Sequence, residues 1–348
     1  MPDLSNRKKN VMSDKPRVIL SGFADEAANN KTAVEQFAVF AALGLQYYSI
    51  RFINLGDGVK NVMKLTRDDI QNVRQLQDEY GINVSSIGSP IGKIKLEDVD
   101  DETANIYVPF ETYLENDVHI ACELAHSFET KLIRGFSFYH PKGKDPQDYI
   151  APVVDRIGKI TEMCHRHDLT YGLEVEANLV GQNGYILAEI YRQVNHPALT
   201  LIFDGANLVV QGYTAEELFD QYEAMKPGLG WFHVKDYVDP QTTTKGGHIN
   251  EDAISGFVPC DLGVSGYEAG MADFATICPQ VEARLMQRGI PGVFVDLEPH
   301  LKGGGQFGGF SGPDGMGVAL RALCRVLDKA GFDYHLRDFE DIKASRGF

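Results

Sequence analysis

The feature that most constrains this chain is a period. Short apolar runs alternate with amphipathic stretches eight times along it. Runs at 18–23, 47–52, 82–87, 132–138, 169–175, 199–203, 230–234 and 293–297 read as strands. Between them, apolar residues recur at helical spacing, as in Val34, Phe37, Ala38 and Ala41, or Ile186, Leu187, Ile190 and Val194. Val153, Val154, Ile157 and Ile160 mark a further helix face, and the pattern predicts helices over 68–80, 116–128, 215–224, 274–287 and 318–327. The strands are continuously apolar rather than alternating, as expected when both faces are buried. Strict strand–helix alternation argues for an α/β fold with a parallel sheet and helices outside. Eight is also the count at which such a sheet closes into a (β/α)8 barrel. The 348 residues are read as one barrel domain over 17–348, preceded by a polar, poorly ordered tail over 1–16.

Composition narrows the partners. Lys and Arg number 33 against 49 Asp and Glu, a formal net charge of −16. That balance argues against nucleic acid and anionic membrane, because phosphate contacts need clustered cations. No apolar run approaches the roughly 20 residues that span a bilayer. The first residues are basic without a following apolar stretch, so they do not read as a secretory signal. The five cysteines (Cys122, Cys164, Cys260, Cys278 and Cys324) are scattered and form no CxxC pair. A disulfide framework or cysteine zinc site is not expected, and a reducing cytoplasm is the expected location.

Active sites of such barrels sit at the C-terminal ends of the strands, and four of those ends carry metal-type ligands. The fifth strand ends in GLEVEAN, with Glu174 and Glu176. The sixth ends in LIFDGAN, with Asp204. The seventh ends in WFHVKD, with His233, Lys235 and Asp236, and the eighth in VDLEPHL, with Asp296, Glu298 and His300. Four adjacent strands thus point one ligand each into the barrel mouth. The residues alone leave Glu174 against Glu176, and Glu298 against Asp296, open. Three carboxylates and one imidazole suit Mn²⁺, Mg²⁺ or Co²⁺ better than a closed structural zinc site. Four protein ligands leave an octahedral ion two positions, enough for a sugar carbonyl and a neighbouring hydroxyl. An ion there would polarise the carbonyl and stabilise an enediolate, with a carboxylate as base.

Other polar residues flank these ends. Arg51 and Arg134 either bind substrate oxygens or anchor carboxylates. Lys235 and His300 stand beside the ligand positions as substrate-contact candidates, and His140 ends FSFYHP on the fourth strand as a catalytic or contact candidate. Asp25 and Glu26 end the first strand, where they either hydrogen-bond inside the barrel or touch substrate. Trp231, Phe136, Phe138 and Tyr139 are expected to pack in the core rather than stack on a sugar. The long irregular stretch 237–270 lies on the same face. The run LKGGGQFGGFSGPDG before the last helix reads either as an anion site, with Lys302 its only cation, or as a lid or packed turn. It contains no GxxxxGK[ST] phosphate loop.

The segments GLEVEANLVG, LIFDGANL, WFHVKD and DLEPHL resemble the xylose isomerase-like sugar phosphate isomerase/epimerase superfamily, a TIM-barrel group. GFADE, YSIRF, VSSIGSPIGK, LIRGFSFYHPKG and GGFSGPDG are also similar to its members, so the match spans nearly the whole chain. The resemblance implies one divalent ion, Mn²⁺ first and Mg²⁺, Co²⁺ or Zn²⁺ otherwise, held by Glu174, Asp204, His233 and Glu298. It implies that Glu174 and Glu298 also act as the acid/base pair, one on each face of a small carbohydrate substrate. The implied reaction is sugar isomerisation or epimerisation. The alternative is a lyase or dehydratase that expels a β-leaving group from a 3-oxo-sugar or 3-oxo-glycoside, with His140, a departure from the group's usual apolar residue, as the extra acid or base. A homo-oligomer is expected, or, for the lyase reading, a hetero-oligomer with a small subunit.

Overall fold

The structure is a computed structural model describing residues 15–238, 245–250, 254–303 and 309–346. Residues 1–14 of the expected tail, and part of the glycine-rich run, lie outside the described residues. The eight barrel strands are β1 (Ile19–Gly22), β2 (Tyr47–Ile50), β3 (Asn83–Ile91), β4 (Leu132–Gly135), β5 (Thr170–Glu174), β6 (Leu199–Asp204), β7 (Leu229–Val234) and β8 (Phe294–Leu297). All neighbours pair in parallel, in the order β1-β8-β7-β6-β5-β4-β3-β2. A parallel bridge between Phe23 and Ser49 joins the two ends of that order. The expected barrel is therefore the observed one.

Eight helices cover the outside: α1 (Ala33–Ala42), α2 (Arg67–Tyr80), α3 (His119–Ser127), α4 (Ile150–Arg166), α5 (Gly184–Val194), α6 (Ala215–Met225), α7 (Tyr267–Met286) and α8 (Gly312–Ala330). Their starts follow local chemistry. Thr66 with Asp69, and Thr214 with Glu217, form reciprocal capping boxes on α2 and α6. The Asn183 side chain accepts from the Ile186 N–H at the start of α5.

Several boundaries differ from the expected ones. The second strand stops at Ile50, and Phe52–Asn54 pairs instead with Val59–Asn61 in a separate antiparallel hairpin. Arg51 is left at the junction, facing the barrel mouth. The fourth strand stops at Gly135, because the Phe136 N–H turns to Ile91 O and Tyr171 Oη, and Phe138 takes a positive φ of 69°. The helix expected over 116–128 is preceded by a helical turn at Phe110–Tyr113 and a π-helical turn at Leu114–Val118.

Bulky side chains fill the barrel interior, and glycine makes room for them. A Cβ on Gly172 would lie 2.2 Å from the Trp231 ring, and one on Gly135 would lie 1.8 Å from Tyr171 Oη. Trp231 and Tyr171 are fully buried there. Trp231 and Phe138 are core residues, as expected, whereas Phe136 and Tyr139 form a separate small cluster with Leu179. No described helix is long and apolar enough to cross a membrane, and all five cysteines are free.

Candidate metal centre

Residues at the C-terminal ends of β5, β6, β7 and β8 converge. Glu174 ends β5, Asp204 ends β6, His233 is the penultimate residue of β7, and Glu298 follows β8. The parallel register sets Asp204 beside His233, and Leu297 beside Val234. One ligand atom from each of Glu174, Asp204, His233 and Glu298 lies within 4.8 Å of all the others, and all four residues are buried.

The alternative residues at these strand ends differ from Glu174 and Glu298 in depth and pairing. Glu176 is turned to Lys93, 2.7 Å away. Asp296 shares the inward face of β8 with Glu298, two residues deeper, where it is fully buried and paired in register with Ser21.

The donor set fits a cation. The buried Nε2 of His233 has no hydrogen-bond partner among the described residues. Buried polar atoms are rarely left so. The His233 Nδ1 lies 3.0 Å from Glu174 Oε1 and 3.8 Å from Glu298 Oε2. The Oδ1 of Asp204 is used structurally, accepting from the Asn207 N–H at 3.2 Å as it caps the short helix Gly205–Val209. That bond orients Oδ2 toward the cluster. Asn207 also donates to Glu174 Oε1 at 3.3 Å and to Val175 O at 3.0 Å. It holds the Glu174 carboxylate in place, a role its residue type gave no reason to expect.

Three cations balance the carboxylates. Arg51 donates to Glu298 Oε1 at 2.6 Å and grips Asp25 with Nε and Nη2 at 3.3 and 3.2 Å. Arg134 lies 3.4 Å from Glu174 Oε2 and 3.9 Å from Glu298 Oε1. Lys235 lies 2.8 Å from Glu298 Oε2 and 3.0 Å from Asp204 Oδ2. Both arginines also sit over the Phe23 ring, 4.4 and 5.0 Å from its centre.

These neighbours set the ionisation. Burial alone would raise the Glu174 pKa, but His233 and Arg134 bring it down to about 2. Glu298 is likewise held well below the usual carboxylate range by Lys235 and Arg51, against its burial. Asp204 is pushed up to about 6, mainly by burial. The two proposed acid/base residues are thus carboxylates at neutral pH.

A cavity of about 240 Å³ opens onto this cluster, lined in part by Arg51, Arg134, Lys235, Lys93, Glu174 and Glu298. Three of the four substrate-contact candidates therefore face it. His300 does not line it. Its Nδ1 turns back to Glu26 Oε1 at 2.8 Å and Glu298 O at 3.0 Å, and its ring packs on Phe257. Asp25 and Glu26 are fully buried and bonded within the barrel, the first of the two readings given for them. His140 lines a neighbouring cavity instead. Lys302 is paired with Asp314 at 2.5 Å rather than left open to an anion. Lys93, whose ammonium lies 4.3 Å from the centre of the Phe136 ring, is a cavity residue that the strand-end reading passed over, because it stands in the loop after β3.

Comparison with known proteins agrees with this architecture. The model of the xylose isomerase-like TIM barrel family matches residues 37–336. A solved xylose isomerase-like TIM barrel protein from Mycobacterium smegmatis, in complex with magnesium, is 17% identical with a TM-score of 0.57, over 91% of this chain and 97% of that one. A D-allulose 3-epimerase from Methylomonas sp. is 15% identical with a TM-score of 0.54, over 90% of this chain and 99% of that one. A xylose isomerase-like TIM barrel/4-hydroxyphenylpyruvate dioxygenase fusion protein is 15% identical with a TM-score of 0.61; the match covers 90% of this chain but spans only 43% of that longer one. No curated protein matches the sequence significantly. With the family model covering most of its length, the chain belongs to the xylose isomerase-like TIM barrel family.

Proposed function

We propose that this protein is a divalent-metal-dependent sugar isomerase or epimerase that works by removing a proton from the carbon next to a carbonyl. The observation that carries this reading is the convergence of three carboxylates and one imidazole from four adjacent strands, all within 4.8 Å, beside a cavity that Arg51, Arg134, Lys93 and Lys235 line. Glu174, Asp204, His233 and Glu298 would hold the ion. When bound, a divalent cation supplies Lewis-acid polarisation of the substrate carbonyl and neutralises charge developing on its oxygen. Magnesium in one structural relative and sugar epimerisation by another support the reading. The ion itself is proposed as Mn²⁺ or Mg²⁺.

The chain's own residues do the rest. Glu174 and Glu298 end strands separated by β6 and β7, so their carboxylates reach the cavity from different sides. Each is ionised and can take a C–H proton; the carboxyl so formed returns it to the same carbon or its neighbour. Return to the neighbouring carbon isomerises the sugar; inversion requires the proton to pass to the other glutamate, which then delivers it from the opposite face. Arg51, Arg134, Lys93 and Lys235 present N–H donors to substrate oxygens. Burial of the cluster excludes water, which strengthens every charge interaction inside. The five free cysteines suit a reducing cytoplasm.

Elimination is the second reading: the same proton loss, with the electron pair then expelling a β-leaving group. The cavity beside the metal centre, with His140 on its wall, favours it by offering room for such a group. Product analysis tests both. Metal-stripped protein reconstituted with Mn²⁺ or Mg²⁺ is incubated with ketohexoses and 3-oxo-glucosides. A product of unchanged mass supports isomerisation or epimerisation. Loss of water or an aglycone supports elimination. No turnover of any of them by metal-loaded protein contradicts both.

A further inference from the structure

Next to the metal-centre cavity lies a larger one, of about 480 Å³. The two share Asn105 and Tyr139 in their linings, so they adjoin at these residues. The metal-centre cavity alone, about 240 Å³, falls below the roughly 300–1,000 Å³ of ordinary small-molecule sites, and the pair falls within it.

The chemistry of the second cavity is specific. Its charged lining residues are of both signs, Asp101 and Asp145 with Lys142 and Lys144. Asp101 is moreover committed, paired with Lys95 at 2.6 Å. The remaining polar surface is mainly amide and imidazole: Asn105, Gln182 and His140 among others. Gln182 is 7% exposed and reaches Gly246 O at 3.4 Å. His140 bonds through Nδ1 to Pro141 O at 3.1 Å and stacks near-parallel on Tyr149, which fixes the ring. Its Nε2 is buried, with the Gln182 side chain beside it. Amides and a fixed imidazole, with Tyr139 also in the lining, suit neutral hydroxyl groups on a ring with apolar C–H faces.

We propose that this second cavity is a subsite for a second sugar ring, so that the substrate is a disaccharide or glycoside whose carbonyl-bearing ring sits at the metal centre. The proposal rests on the reading of the metal-centre cavity as a sugar site. It holds whether the second ring stays attached, as in isomerisation, or departs, as in elimination.

Binding of one-ring and two-ring probes, read as affinity and not turnover, tests it apart from the chemistry. Titration calorimetry on the full metal-loaded chain compares glucose with cellobiose, and sorbitol with maltitol. At least one disaccharide should bind tenfold or more tighter than its single-ring partner. That gain should vanish in Gln182→Leu and in His140→Leu, each checked for unchanged thermal unfolding. Equal affinity within both pairs in the unsubstituted protein, or a gain untouched by both substitutions, overturns the subsite. Deuterium exchange on keto-sugars reports separately on the reaction. Exchange without a two-ring gain removes the subsite and leaves the reaction, whereas a gain without exchange does the reverse.

Discussion

The Lys235 ammonium lies 2.8 Å from Glu298 Oε2, buried among the carboxylates of the candidate metal centre, and touches Asp204 Oδ2 at 3.0 Å as well. Asp204 and Glu298 hold it protonated, against the effect of its burial. Lysine and a divalent ion would therefore share two of the same carboxylates. Removing one partner of a buried pair costs about 3–5 kcal/mol, because the other charge is left uncompensated. Lys235→Met should destabilise the metal-free protein on that scale in denaturant unfolding, and saturating Mn²⁺ should recover much of the loss. An equal loss with and without metal would show that lysine and ion do not share the carboxylates.

Metal content tests the ligand set. His233→Ala and Asp204→Ala should each lower affinity for Mn²⁺ by more than the roughly 10–100-fold typical of residues that only orient a ligand. Asn207→Ala, which removes the amide bonded to Glu174, should fall within that range. The check is competition with a fluorescent chelator. Full occupancy in both ligand variants would remove the assignment.

The core makes its own prediction. Because a Cβ at position 172 would lie 2.2 Å from Trp231, Gly172→Ala forces the indole to move. Overpacking of this kind costs about 1–3 kcal/mol, read as a lower urea midpoint and a changed tryptophan emission, since Trp231 is the sole tryptophan. An unchanged midpoint and spectrum would contradict the described packing.

Much of this was legible in the residues. The barrel showed itself because its strands are buried on both faces and so lack the alternation of half-exposed sheets, and because GLEVEAN, LIFDGAN, WFHVKD and DLEPHL recur at strand ends. The helix starts were less visible. α7 begins at Tyr267 rather than 274, and α8 at Gly312 rather than 318, because Gly270 and the GPDG run interrupt the apolar period without breaking the helix. Contacts between distant segments left no local trace at all. Nothing near Asn207 announces that its amide holds Glu174, and nothing near His300 announces that Glu26, 274 residues away, holds its backbone N–H. The choice between Glu174 and Glu176 likewise depended on Lys93, which comes from another loop.

A pH prediction comes from Asp101 in the loop after β3. Burial would raise its pKa, but Lys95, Thr103 and the Lys142 N–H hold it well below the usual carboxylate value. A carboxyl lowered on folding stabilises the protein above its unfolded pKa, about 3.9, and the contribution fades as pH falls below that. Asp101→Asn should therefore lower the melting temperature at pH 6, and the gap to the unsubstituted protein should narrow between pH 4 and pH 3. A gap independent of pH would contradict the charge pairing.

The most direct test of the proposed chemistry is deuterium exchange in D₂O, followed by proton NMR on a panel of ketohexoses and 3-oxo-glucosides with Mn²⁺-loaded protein. The account predicts that deuterium enters at the carbon next to the carbonyl of at least one sugar. Exchange should be lost with EDTA and restored by Mn²⁺, and should slow by about 10²–10⁴-fold in Glu174→Gln or Glu298→Gln, the range for general acid–base groups. Absence of exchange across the panel with metal bound, or exchange undiminished in both glutamine variants, would contradict it.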